Sequence, residues 1–314
     1  MMKKLLKIIL SAFLGILSFA IFATPNEPSA KVRTVLCTTF PIFQITRNVT
    51  QGNTALEVEL MLPSQLGCPH DYALSPQDMQ KLARADVLLI NGLGLEEFLG
   101  APIKNANPKL IIIDSSAGIE DIIQYKEQCH SGDKCQHDHG HGVPNPHLFA
   151  SPRMSARLAS NIAEGLSKLD PDSVTLYTKN AGEYSKTMNL LADKMSALGK
   201  RLKNNRIVQP HGVFDYLARD IGLEIAATMQ SHGGEPSASE MIQMIRAIKE
   251  KKVGAIFSEP QYPGKLGETL SKECSVPTAV LDPCATGPEK ASLDYYEKVM
   301  LKNIETIEAT LGSK

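Results

Sequence analysis

The chain has 314 residues, 43% of them hydrophobic, with 33 Lys and Arg against 34 Asp and Glu, a formal net charge of −1. That composition is globular, and no stretch carries the clustered Lys and Arg needed to neutralise phosphates, which excludes nucleic acid as a partner. The length admits one large domain or two of ordinary size.

The first element, MMKKLLKIILSAFLGILSFAIFA (1–23), begins with Lys3, Lys4 and Lys7, runs apolar from Ile8 to Phe22 and reaches Ala23 just before Thr24-Pro25. This is the pattern of a cleavable secretory signal peptide, with cleavage expected near Ala23. Ser11, Gly15 and Ser18 interrupt the apolar run, which is short for a membrane span. No cysteine follows it, so a lipid at a new N-terminus is not expected. A periplasm or equivalent exported space is the expected location. Removing residues 1–23 takes away three lysines and no acid, leaving 30 basic against 34 acidic residues and a net charge of −4. Six cysteines in an exported chain permit disulfides. Cys274 and Cys284 flank an expected strand and lie roughly 20 Å apart at ~3.3 Å per residue, too far to pair.

Strands are expected in the first half at 32–38, 56–62, 87–91 and 110–114, with helical patterns at 42–49 and from Ser75. There Ser75 suits the N-cap, Pro76 the first turn and Asp78 the third position. A helix from about Pro152 to Lys168 leads into a second from Asp172 to Asn204, with apolar positions at Leu176, Met188, Leu191, Met195, Leu198 and Leu202. At 33 residues that second helix would be roughly 50 Å long, a strut between two halves. The second half repeats the alternation, with strands at 206–209, 224–229, 254–257 and 278–281 and helices near 213–220, 237–251, 264–273 and 292–311. Alternation of this kind implies parallel strands with crossover helices. The reading is an α/β protein of two lobes, each a mainly parallel sheet flanked by helices, joined by a long backbone helix. Its parts are a signal peptide (1–23), a first lobe (31–171) with a His-rich loop (126–146), the linking helix (172–204) and a second lobe (205–314).

Histidines concentrate in that loop, where CHSGDKCQHDHGH (129–141) holds His130, His137, His139 and His141. Its glycines at 132, 140 and 142 give it little reason to hold a fixed tetrahedral geometry. Accessory metal binding stands beside the plainer reading, a solvated loop in which Cys129 and Cys135 form a local disulfide. Three other histidines share a structural address. His70, His147 and His211 each lie in a loop after a strand, at the sheet edge where ligands bind in parallel α/β proteins. Asp282, at the end of the last strand, would complete a tetrahedral set with two donors from each lobe. Imidazole and carboxylate donors suit four-coordinate zinc.

Four segments, GCPHDYALSPQDMQKLARADVLLINGLGLEEFL (67–99), NPHLFASPRMSARLASNIAEGL (145–166), PHGVFDYLARDIGLEI (210–225) and IFSEPQYPGKLGETLSKECSVPTAVLDP (256–283), carry a resemblance. In order and spacing they resemble the periplasmic metal-binding proteins of zinc and manganese importers of the ATP-binding-cassette type. That resemblance implies His70, His147, His211 and Asp282 as ligands and a histidine-bearing zinc branch, with Mn²⁺ or Fe²⁺ as alternative cargo. It further implies delivery to a membrane permease with a cytoplasmic ATPase, by a protein that is monomeric and not an enzyme. Cys68 departs from the family pattern and is either a thiolate ligand or a partner for Cys37. Glu259 ends its strand at the same edge, as a substitute ligand for Asp282 or a group orienting one. His232 has no place in the set. A zinc hydrolase, with Glu259 as base, and an adhesin or metal buffer using the loop alone are the competing functions; the H-E-x-x-H helix of many zinc hydrolases is absent.

Overall fold

The computed structural model describes residues 33–67, 69, 72–125, 142–229, 236–261 and 264–312. The signal segment, Cys68, His70, Cys129, Cys135, His130, His137, His139, His141 and His232 lie outside the described residues.

In the first half, apolar runs form β1 (Arg33–Cys37), β2 (Leu56–Leu60), β3 (Val87–Ile90) and β4 (Ile111–Asp114), all parallel, in the order β2-β1-β3-β4. The central strands read as continuous apolar runs because both faces of the sheet are covered. Val35, Cys37, Val87 and Leu89 point into one core with helix α1 (Phe40–Val49). Leu36 and Leu88, one residue out of phase, point into another with Leu82 of α2 (Pro76–Arg84) and Leu99, just before α3 (Gly100–Ala106). Ser75 starts α2 with the capping box read from the sequence: its hydroxyl accepts from Asp78 N, and its own N–H donates to Asp78 Oδ2 at 2.8 Å. A short antiparallel pair not foreseen from the sequence, β5 (Gln124–Tyr125) with β6 (Val143–Pro144), brings together the two ends of the chain that flank 126–141.

Helices α4 (Pro152–Leu169) and α5 (Val174–Gly199) follow. The second lobe then builds β7 (Arg206–Gln209), α6 (Asp215–Ile221), β8 (Glu224–Thr228), α7 (Ala238–Glu250), β9 (Ala255–Ser258), α8 (Lys265–Cys274), β10 (Thr278–Val280) and α9 (Tyr295–Leu311). Its strands are parallel in the order β10-β9-β7-β8. Counted from its own first strand, this is the strand order of the first sheet.

The long helix is 26 residues, shorter than the 33 read from its pattern. A separate turn, Pro171–Ser173, precedes it, and it stops at Gly199, where the Ile221 carbonyl of α6 presses against the helix. Its buried face (Tyr177, Ala181, Tyr184, Met188, Leu191, Met195, Leu198) joins a core that also takes in Val35 and Val87 from the first sheet and Ile207 and Phe257 from the second. The lobes therefore share one apolar core as well as a strut. Hydrogen bonds stitch them further: Gln65 Nε2 to Gly287 O (2.6 Å), Gly287 N to Ser64 O (3.0 Å), Arg47 to Ala291 O (2.7 Å) and Tyr296 OH to Phe149 O (2.7 Å).

Cys37, Cys274 and Cys284 carry free thiols; the Cys37–Cys68 pairing considered from the sequence rests on Cys68, outside the described residues. Cys37 is sealed beneath α1, and burial pushes its thiol up to about 12. Among the described residues no helix is long and apolar enough to cross a membrane.

Candidate metal centre

In each sheet the strand order reverses beside the first strand, between β1 and β3 and between β7 and β9. Crossovers leave such a point toward opposite faces, opening a crevice outside the carboxyl ends of the strands. His211 lies two residues after β7, and Glu259 directly follows β9, so both flank the second switch point. Thr38 and Asn91 flank the first.

His147 comes to this region from the chain after β6 and is fully buried. Its ring centroid lies 5.0 Å from that of His211, with the ring planes at 71°. Asn145 fixes the pair. Its Nδ2 donates to Gly212 O (2.7 Å) and Asp215 Oδ2 (2.9 Å), both acceptors, so Oδ1 must face His147. That oxygen lies 2.8 Å from His147 Nδ1 and also accepts from the His147 backbone N–H (2.9 Å). An amide oxygen only accepts, so Nδ1 carries the ring proton and Nε2 keeps its lone pair. One side chain thus orients the first lobe's histidine and ties it to the turn that carries His211. Tyr216 OH adds a bond to Asn145 O (2.7 Å). Burial raises the Asp215 carboxyl, while bonds from Gln209 and Asn145 pull it back.

His211 Nδ1 lies 3.0 Å from Glu259 Oε1, and the Glu259 side chain has no exposed surface. Asp282 follows β10. Asn303 of α9 clamps its backbone on both sides, accepting from Asp282 N (3.0 Å) and donating to Asp282 O (2.7 Å). Asp282 Oδ1 accepts from Cys284 N at 2.8 Å. Burial raises the Asp282 carboxyl, the bond from Cys284 lowers it, and the charge of Glu259 raises it again. The two carboxylates therefore lie within each other's field. Among the described residues no three His, Cys, Asp or Glu are grouped so as to hold an ion. The described part of the candidate centre is the His147–His211 pair, with Glu259 against His211 and Asp282 in the field of Glu259. Tyr72 OH donates to Asp78 Oδ2 (2.8 Å), which ties Tyr72 to the first turn of α2.

Residues 35–310 match the family described as zinc-uptake complex component A, periplasmic. The chain belongs to this family. The zinc-binding lipoprotein AdcA of Streptococcus pneumoniae serotype 4 is 30% identical over 297 residues, covering 92% of this chain and 58% of AdcA, so the chain spans little more than half of that relative. The high-affinity zinc uptake system protein ZnuA of Bacillus subtilis is 26% identical over 282 residues, covering 88% of this chain and 87% of ZnuA. In fold, the chain is similar to the solute-binding protein FpvC of Pseudomonas aeruginosa in complex with Mn²⁺, with a TM-score of 0.77, 28% identity and coverage of 90% of this chain and 99% of that one.

Sequence reading placed His147, His211, Asp282 and Glu259 at strand ends, but not the groups behind them. Asn145, Gln209, Asp215 and Asn303 were missed. Only Asn145 carried a local signal, its position two residues before His147.

At the first switch point Glu96 is a buried carboxylate. It accepts from Thr38 Oγ1 (2.7 Å), Asn91 N (2.7 Å) and Gly92 N (3.1 Å). Burial pushes it up to about 7 against those bonds, with Asp114 adding to the rise. The folded pKa lies above the ordinary ~4.5, so the folded state holds the extra proton between about pH 4.5 and 7. Stability therefore falls as pH rises through that window, by up to about 3 kcal/mol from this group. Urea unfolding at pH 5 and pH 8 is expected to show this loss in wild type and not in Glu96→Gln; equal slopes in the two proteins would refute it.

Proposed function

We propose that this chain is an exported solute-binding protein. In this reading it captures Zn²⁺ between its lobes and delivers it to a membrane permease driven by a cytoplasmic ATPase. His70, His147, His211 and Asp282 are the ligands, export is by a signal peptide cleaved near Ala23 into the periplasm, and the protein acts as a monomer without catalysis. The observation that carries this reading is the His147–His211 pair, two rings 5.0 Å apart at the edges of two parallel sheets, one with its proton held on Nδ1. Family membership and the names of AdcA and ZnuA support zinc as the cargo. Nitrogen donors favour zinc over manganese, which prefers oxygen; the Mn²⁺ in the FpvC structure makes Mn²⁺ the second candidate.

The test is a competition titration against a chromophoric chelator, comparing wild type with single alanine variants of the four ligands and with a deletion of 129–141. Tight binding is expected to survive the deletion and to be lost in the ligand variants. Loss with the loop alone, with His211→Ala unaffected, would overturn the cleft reading. The shared core and the bonds between lobes leave little room for closure. Solution scattering is accordingly expected to give the same radius of gyration with and without Zn²⁺, and a marked contraction on loading would contradict it.

A further inference from the structure

Glu259 is fully buried, yet among the described residues its only cationic neighbour is an imidazole. Its Oε1 lies 3.0 Å from His211 Nδ1 but has no aligned hydrogen bond, so the contact is close without being in line. Its other oxygen is held: Gln261 Nε2 donates to Oε2 at 2.8 Å. Gln261 in turn lies against the opposite lobe. Gly67, three residues before His70, has φ +78°, and a Cβ added there would meet Gln261 Cγ at 3.0 Å. The glycine both permits the turn and admits the glutamine. A line of contacts thus runs from Gly67 through Gln261 and Glu259 to His211.

We propose that Glu259 and Gln261 are a positioning pair for the third histidine. Glu259 stands against the Nδ1 side of His211, which turns Nε2 toward the metal, and Gln261, braced on Gly67, holds Glu259 in that place. In this reading only Asp282 occupies a coordination position. A carboxylate behind a ligating imidazole raises the basicity of the ring and fixes its orientation. The proposal rests on the reading of His211 as a ligand.

A double-mutant cycle on Zn²⁺ affinity, with Co²⁺ as a spectroscopic probe, tests it. Glu259→Ala is expected to weaken Zn²⁺ binding about 10- to 100-fold and to leave the visible absorption bands of the Co²⁺-loaded protein unchanged in position and intensity. In a His211→Ala background the same change is expected to alter affinity by less than about threefold, because its partner is already gone. Glu259→Gln, which keeps an acceptor oxygen and the side-chain shape, is expected to recover part of the affinity. Gln261→Ala should weaken binding less than Glu259→Ala, and not at all in the Glu259→Ala background. Thermal midpoints of the metal-free variants near that of wild type exclude misfolding as the cause. An additive loss in the His211→Ala background, or altered Co²⁺ bands in Glu259→Ala, would make Glu259 a ligand and overturn the proposal; so would a Glu259→Gln variant as weak as Glu259→Ala, by assigning the effect to charge alone. If His211→Ala itself binds Zn²⁺ as wild type does, the underlying ligand reading fails instead.

Discussion

His211→Ala is expected to weaken Zn²⁺ binding on the order of 10²- to 10³-fold. Zinc held by four protein ligands binds with about 10–16 kcal/mol, so one ligand carries about 3–4 kcal/mol, and each 1.4 kcal/mol is tenfold in affinity. His147→Ala is expected to lose at least as much. That ring is fully buried, and its removal also leaves Asn145 Oδ1 without the Nδ1–H it faces. The chelator titration reads both losses directly, and deletion of 129–141 under the same conditions should leave the tight component in place. A His147→Ala protein with wild-type affinity would show that the pair at 5.0 Å is not the binding centre.

Gly199→Ala is expected to destabilise the fold by about 4 kcal/mol, toward the upper end for a single substitution. A Cβ at this position would lie 1.7 Å from the Ile221 carbonyl oxygen and 2.8 Å from its carbon. The obstacle is backbone, so no rotamer change relieves it, and α5 must move off α6. The thermal midpoint should fall by roughly 10 °C for a chain of this size. Gly182, in the same helix with open space around it, is the control. Gly182→Ala should leave the midpoint unchanged or raise it, because alanine is the better helix former. A Gly199→Ala protein as stable as wild type would mean the two helices are not packed this closely.

Much of the architecture was legible along the chain because its signals are local. The strands are short apolar runs, the start of α2 is written in Ser75, Pro76 and Asp78, and the apolar face of α5 repeats at helical spacing. The end of α5 was not legible. The apolar pattern continues to Leu202, but the helix ends at Gly199, whose missing Cβ admits a carbonyl 22 residues further on. The pair β5–β6 was too short to give any periodicity. Cys37 illustrates a different limit: its place in the sheet was legible, but its complete burial in the core was decided by packing.

The sequence by itself determined that two α/β halves alternate in the same element order and that His and Asp side chains of a type suited to a metal follow strands. Periodicity and position after a strand need only neighbouring residues to be read. Tertiary structure alone decided the strand order that places His211 and Glu259 at a switch point, the single core that joins the lobes, and the partners of each candidate ligand: Asn145 bridging His147 to the His211 turn, Gln261 reaching from Glu259 to Gly67, Asn303 clamping Asp282. These contacts join residues as far apart as 67 and 261. They depend on how strands and helices pack in space, and no spacing along the chain encodes them.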